Sequence, residues 1–221
     1  MVRKIILSPV AILYGLIVQL RNVFYEKKLL KINRLPCKVI SVGNITMGGT
    51  GKTPIVIYLS NLLKKKGYKT AIISRGYKRN TTGTVLVSDG TEVLSKWEDV
   101  GDEPYMMAKK LKNIPIVVDK NRFRGGLLLI QEFDPDIILL DDGFQHRMLH
   151  RDLDIVLLNG KDDYAKHHLL PYGTFREPWS SLLRADIIFI TKQKPTVHLS
   201  KKIKYTSLPL IYTKNTYCVN S

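Results

Sequence analysis

Short, almost continuous apolar runs recur along this chain: Val39-Ile40-Ser41-Val42, Thr70-Ala71-Ile72-Ile73-Ser74, Ile114-Pro115-Ile116-Val117-Val118, Ile137-Ile138-Leu139-Leu140, Leu153-Asp154-Ile155-Val156-Leu157-Leu158 and Ala185-Asp186-Ile187-Ile188-Phe189-Ile190. Runs of this length that do not alternate predict strands covered on both faces, the habit of a parallel sheet. Helical patterns separate them. One runs from Pro54 to Leu63 and is expected to stop near Gly67, just past Lys64-Lys65-Lys66. A second passes through Tyr105, Ala108 and Leu111, and a third is opened by Lys120-Asn121-Arg122-Phe123-Arg124 and ends at Phe133. Strand, helix, strand in this order predicts parallel βαβ units and an α/β fold. Two alternating runs, Thr84 to Ser88 and Thr91 to Leu94, flank Asp89-Gly90 and predict an inserted β-hairpin standing off the main sheet. Beyond Lys192 periodicity fades, and no clear last element is expected.

The first stretch is different. From Ile5 to Leu20 the chain is apolar nearly all round, and as a helix those sixteen residues span about 24 Å, short of the roughly 30 Å of hydrocarbon in a bilayer. No small-residue cleavage site of a secretory signal follows. The pattern fits a helix lying partly in the membrane interface, with a buried core helix as the alternative.

Composition sharpens that choice. The 221 residues carry a net charge of +16, which calls for an anionic partner. Arg3, Lys4, Arg21, Lys27, Lys28, Lys31, Arg34 and Lys38 crowd the N-terminal segment, against the single acid Glu26. Basic residues beside an apolar helix suit an anionic lipid surface. Neither an RNA-binding aromatic signature nor a helix-turn-helix is visible, so no nucleic-acid partner is expected. The two cysteines, Cys37 and Cys218, match no metal spacing and point to a reduced cytosolic compartment. The adjacent His167 and His168 lack ligand-spaced partners and are expected at the surface. The organisation expected is residues 1–36 as a membrane-associating helix and 37–221 as the catalytic domain.

The chemistry begins after the first apolar strand. Thr46-Met47-Gly48-Gly49-Thr50-Gly51-Lys52-Thr53 stands between that strand and a helix, so backbone N–H groups at the helix start can cradle phosphates. It matches G-x-x-x-x-G-K-[ST] except that Thr46 stands where the first glycine falls. Lys52 would reach the β- and γ-phosphates of ATP, and Thr53 the Mg²⁺ ion. The deviant ATPase switches carry a lysine at the position of Met47, which argues against that rival. Arg75-Gly76-Tyr77-Lys78-Arg79 follows the second strand, either facing the same crevice or solvated. Asp99 to Pro104 opens a helix; its carboxylates read as caps, or Asp102 as a base toward a hydroxyl. Asp141 and Asp142 close an apolar strand, the position that holds Mg²⁺ in P-loop enzymes. Since strand side chains alternate faces, only one of the two is expected at the metal, Asp141 by default, with Asp142 as a cap. Pro171 to Trp179 is a turn-rich loop with the charged pair Arg176-Glu177.

Together these residues resemble the tetraacyldisaccharide 4'-kinase (lipid A 4'-kinase) family of Gram-negative bacteria. The resemblance rests on Ser8-Pro9, Tyr14-Gly15, Leu20-Arg21-Asn22, Val42-Gly43-Asn44 with the GGTGKTP loop, Ser74-Arg75-Gly76-Tyr77, Gly101-Asp102-Glu103-Pro104, Asp141-Asp142-Gly143-Phe144-Gln145-His146-Arg147 and Arg176-Glu177-Pro178-Trp179. It runs to about residue 192, and the family's Thr or Ser at the first P-loop position agrees with Thr46. It implies a P-loop NTPase-type three-layer fold and a peripheral kinase on the cytoplasmic face of the inner membrane. Its ATP and Mg²⁺ would phosphorylate the 4'-hydroxyl of a tetraacyldisaccharide 1-phosphate, with no obligate protein partner. By the same resemblance Asp102 is the general base. Glu103, Asp141, Asp142 and Gln145 are metal candidates, and Asn44, Arg75, Arg122, His146 and Arg176 substrate or anion contacts. The family pattern continues past Ser221 with a histidine that partners the base, so the sequence reads as a C-terminally short copy.

Overall fold

The computed structural model describes residues 2–162, 164, 168–204 and 209–212. His167, Lys214 and Cys218 lie outside them. The chain forms two compact units: a larger one of Ile32–Gly43 and Lys52–Leu153, and a smaller one of Met1–Lys31, Asn44–Gly51 and Asp154–Ser221.

In the larger unit the strands are β1 (Lys38–Gly43), β2 (Thr70–Ser74), β3 (Val85–Ser88), β4 (Ile116–Val118) and β5 (Ile137–Asp141), in the order β3-β4-β2-β5-β1. β1, β2, β4 and β5 are mutually parallel, with Val42 opposite Asp141 and Ser74 opposite Val118. Every residue of β2, β4 and β5 is buried, which is why these strands read as unbroken apolar runs. One side of the sheet packs into a core of Leu35, Val39, Ala71, Ile73, Val117, Leu129, Ile138, Leu140 and Leu149. Truncating any of the large ones to Ala removes packing worth about 2–5 kcal/mol. The helices of this unit are α2 (Lys52–Lys65), α3 (Trp97–Val100), α4 (Asp102–Lys110) and α5 (Arg122–Phe133).

The expected hairpin takes a different form. β3 is part of the sheet, antiparallel to β4, while the return run makes a single bridge, Ser88 to Val93, beside one bond from Leu94 N to Val87 O. A two-residue hairpin turn of the favoured type needs both central residues left-handed, and here Gly90 alone is. Asp89 instead folds its carboxylate onto the Thr91 and Glu92 amides at 2.7 and 2.9 Å, winding a wider turn.

The smaller unit contains α1 (Val2–Glu26), the segment Asn44–Gly51, parallel strands β6 (Leu153–Asn159), β7 (Ile187–Thr191) and β8 (Leu210–Tyr212) in that order, a 3₁₀ turn at Trp179–Arg184, and α6 (Val197–Lys204). α6 and β8 give the C-terminal region the last elements that its weak periodicity did not predict. The signal for α6 was small: Thr196 caps it by accepting from Leu199 N, and among its described side chains only Leu199 and Ile203, four apart, are buried.

α1 is longer than its apolar run. At 25 residues it measures about 37 Å, so length does not keep it from crossing a bilayer. Among the described residues no helix is long and apolar enough to cross a membrane. Among its described side chains α1 buries only the stripe Ala11, Gly15, Val18, Asn22 and Tyr25, spaced four and three apart. Leu13, Leu16, Ile17 and Leu20 are each more than half exposed.

Candidate active site

Ligand sites of open α/β sheets lie beyond the carboxyl ends of the strands. At that edge of the larger unit, Ser74 closes β2 and Asp141 closes β5, and the Ser74 hydroxyl donates to Asp141 Oδ2 at 3.0 Å. The other carboxylate oxygen, Oδ1, is buried with no hydrogen-bond partner. Burial pushes the Asp141 carboxyl up to about 7, and the charges of Glu103 and Asp142 push the same way, against the pull of Lys52 and the Ser74 bond. Such a group asks for a cation. Asp142 has left the strand: its backbone is left-handed at φ 52, and its Oδ1 lies 3.4 Å from Lys52 Nζ, the first residue of α2. Strand alternation therefore does not separate the two aspartates as expected; the turn after Asp141 carries Asp142 back toward Lys52.

Asp102 and Glu103 occupy the first turn of α4, and both are exposed. The N-cap is Gly101, without a side-chain bond, so neither carboxylate serves as the cap. Gly101 sits at φ +92, where a Cβ would come within 2.8 Å of the Tyr77 carbonyl, so only glycine lets this helix start here. The position suits a base that must meet a substrate hydroxyl.

Three basic groups share this edge. Arg122, first residue of α5, is buried and donates to the Asp119 and Lys120 carbonyls, both at 3.2 Å, while its Nε has no partner. Burial lowers its guanidinium to about 10, with Asp142, Asp141 and Asp119 supporting the charge and Arg75 opposing it. His146 is pushed down to about 4 by burial and then by Arg122, Arg151 and Arg75. At neutral pH it is an uncharged imidazole whose buried Nε2 has no partner, which suits it to hydrogen bonding and not to charge. Gln145 precedes it, half-buried, in the turn after β5.

Sequence reasoning passed over Asp119, which directly follows β4, much as Asp141 ends β5. It is fully buried and accepts from Arg124 Nε and Nη2 at 2.7 and 2.9 Å, from Asn121 N at 2.8 Å, and from the Thr84 hydroxyl. Together with Asn121, whose side chain accepts from Arg124 N to cap α5, it fixes the turn that presents Arg122. An acid ending an apolar run was the available clue.

In the smaller unit, Ile45 to Met47 is paired antiparallel with Thr174 to Arg176: Arg176 N donates to Ile45 O at 2.8 Å, Met47 N to Thr174 O at 2.7 Å, and Thr46 bridges Phe175. Asn44 and Arg176, distant in sequence, thus fall on neighbouring strands. Gly48 and Gly51 take φ +121 and +85, and a Cβ on Gly48, Gly49 or Gly51 would meet nothing within 4 Å, which leaves an open cradle lined by backbone. The Thr50 hydroxyl is buried without a partner, and the Thr50 carbonyl accepts from Thr191 Oγ1 at 2.8 Å. From Gly51 the chain passes directly into Lys52 and the buried Thr53 of α2.

These residues fit a nucleotide with its metal. Among the described residues no three His, Cys, Asp or Glu side chains form a cage able to hold a metal alone. Mg²⁺ does not need one, since it takes one or two carboxylates and completes its shell with phosphate and water oxygens. In the larger unit, the unpartnered Asp141 Oδ1 is a carboxylate oxygen of the kind such an ion takes.

The family model described as "Tetraacyldisaccharide-1-P 4'-kinase" matches residues 3–219. The chain belongs to this family. A tetraacyldisaccharide 4'-kinase of Aquifex aeolicus is 49% identical over 188 residues, covering 85% of this chain and 58% of the relative. That of Chlorobaculum parvum is 42% identical over 215 residues, covering 95% and 60%. Among solved structures, LpxK from Aquifex aeolicus, crystallised in complex with ATP, superposes with a TM-score of 0.83 at 44% identity, over 95% of this chain and 64% of that one. The chain thus spans little more than half the length of these curated relatives, and it has the P-loop α/β fold of the solved structure.

Proposed function

We propose that the chain carries the ATP-dependent kinase that moves the γ-phosphate to the 4'-hydroxyl of a tetraacyldisaccharide 1-phosphate, at the cytoplasmic face of the inner membrane. The observation that carries this reading is the half-satisfied Asp141 carboxylate beside the Lys52–Asp142 pair, where the strands end. Residues Thr46 to Thr53 hold the nucleotide, and Lys52 neutralises its terminal phosphates. Thr53, Asp141 and Asp142, with Glu103 and Gln145 about them, would hold Mg²⁺, which neutralises charge on the phosphates when bound. Asp102 takes the proton of the attacking hydroxyl. Asn44, Arg75, Arg122 and Arg176 orient the anionic acceptor, and the neutral His146 contributes a hydrogen bond. In this reading residues 1–36 associate with the anionic membrane surface through the exposed apolar face of α1, and residues 37–221 carry the chemistry.

The test is transfer of label from γ-³²P-ATP to the disaccharide lipid in detergent micelles with Mg²⁺, with Asp102→Ala as control. Wild type should label the lipid. The variant should bind ATP as wild type does but transfer about a hundredfold to ten-thousandfold more slowly, the usual contribution of a general base. Unlabelled lipid with wild type overturns the kinase reading for this chain, and normal transfer by Asp102→Ala overturns the base.

A further inference from the structure

In the smaller unit Arg176 links α1 to the nucleotide loop. The amide of Arg176 donates to the Ile45 carbonyl at 2.8 Å, and the carbonyl of the same residue accepts the Tyr14 hydroxyl of α1 at 2.8 Å. The next residue doubles the link. Glu177, only 1% exposed, is paired with Arg184 of the 3₁₀ turn and with Arg21 of α1 at 3.5 Å, and accepts from Asn22 at 3.3 Å. Separating α1 from this segment would break the Tyr14 bond and strip the buried Glu177 of its contacts to Arg21 and Asn22, leaving it with Arg184, so α1 and the Arg176–Glu177 segment move together. That segment is in turn hydrogen-bonded along Ile45 to Met47. The stripe that makes these bonds faces inward; the opposite side of α1 is apolar, exposed and followed by Lys27, Lys28 and Lys31, a distribution complementary to an anionic lipid surface.

We propose that Tyr14 is a positioning residue through which a lipid surface, on taking up α1, holds the Arg176 segment and the nucleotide loop in their binding arrangement, so that membrane docking tightens ATP binding. The inference rests on the membrane reading of α1 above, and is independent of which lipid accepts phosphate. By linkage, ATP in turn strengthens the hold of the chain on the surface by the same factor.

The experiment measures Mg·ATP affinity of the 221-residue chain by calorimetry, alone and with phosphatidylglycerol vesicles, alongside sedimentation with those vesicles. Wild type should bind ATP about three- to tenfold more tightly on the vesicles, within the usual range of coupling between sites. Tyr14→Phe should sediment as wild type does but show clearly weaker tightening, since only the Glu177 contacts to Arg21 and Asn22 remain. Leu13→Glu, on the face that is 58% exposed at that residue, should keep the vesicle-free affinity and lose both sedimentation and tightening. An unchanged wild-type affinity on vesicles, a full response from Tyr14→Phe, or an α1 face closed by self-association of the chain would each overturn the proposal. A chain that passes this test and still fails to phosphorylate the disaccharide lipid would leave the coupling standing and remove the acceptor instead.

Discussion

Two parallel strands of the larger unit, β4 and β5, lie on either side of β2 and each lead into a buried aspartate, and the two ends behave in opposite ways. At the end of β4, burial pushes Asp119 up, but Arg124, Thr84 and the Asn121 amide outweigh it and hold the carboxyl below its usual range. At the end of β5, Asp141 has one bond, from Ser74, one unpartnered oxygen, and two carboxylates as electrostatic neighbours, and it rises to about 7. The same sequence signature, an acid closing an apolar strand, yields a structural clamp in one place and a cation-seeking ligand in the other. Burial does not separate them; the number of donors that converge on each does.

The largest test of this contrast concerns chemistry. Lys52→Ala removes the cation beside Asp142, and ATP-dependent turnover should fall by about a thousandfold, the scale seen when a preorganised charge is deleted. Unchanged turnover would separate the β5 edge from catalysis.

A second test concerns stability, and the two variants should diverge. Asp119→Ala strips partners from Arg124 and Thr84 and loosens the turn before α5. Because Arg124 is itself largely exposed, the loss should be about 2–3 kcal/mol, read from the shift of a urea midpoint. Asp141→Asn removes a crowded charge and should leave the metal-free protein equally or more stable. If both variants lose the same stability, the two ends are equivalent and the distinction fails.

The smallest effect is in pH. Because the Asp141 carboxyl is raised in the folded chain, its contribution is complete below the ordinary range near 4 and is lost as pH climbs through about 7. Asp119 is held below its usual carboxyl range and His146 is lowered to about 4, so the support of each is complete above its ordinary unfolded range and is withdrawn as pH falls through and below that range. Subtracting the Asp141→Asn curve from wild type isolates the first slope, which should descend between pH 4 and 7. A flat difference would show an ordinary carboxyl at 141.

α2 and the parallel strands were legible because their signals are local: a glycine loop between a strand and a helix, and apolar runs without alternation. The loop itself was legible for the same reason, since positive φ at Gly48 and Gly51 is a property of those residues. α6 and β8 were not, because α6 buries only Leu199 and Ile203 among its described side chains and β8 is three residues long. The hairpin was misjudged because Asp89-Gly90 fits two turn geometries, and β4, far along the chain, supplied the partner that β3 took.

Residue types and their spacing were enough to establish the class of fold, the phosphate loop and the carboxylates worth watching, since backbone propensity and periodicity act over a few residues. Which aspartate would be clamped and which left wanting, that Asp142 would turn back to Lys52, and that Arg176 would sit beside Ile45 depended on strands and turns brought together from distant parts of the chain. Burial, hydrogen bonding and charge proximity are set by those non-local neighbours, and no local pattern encodes them.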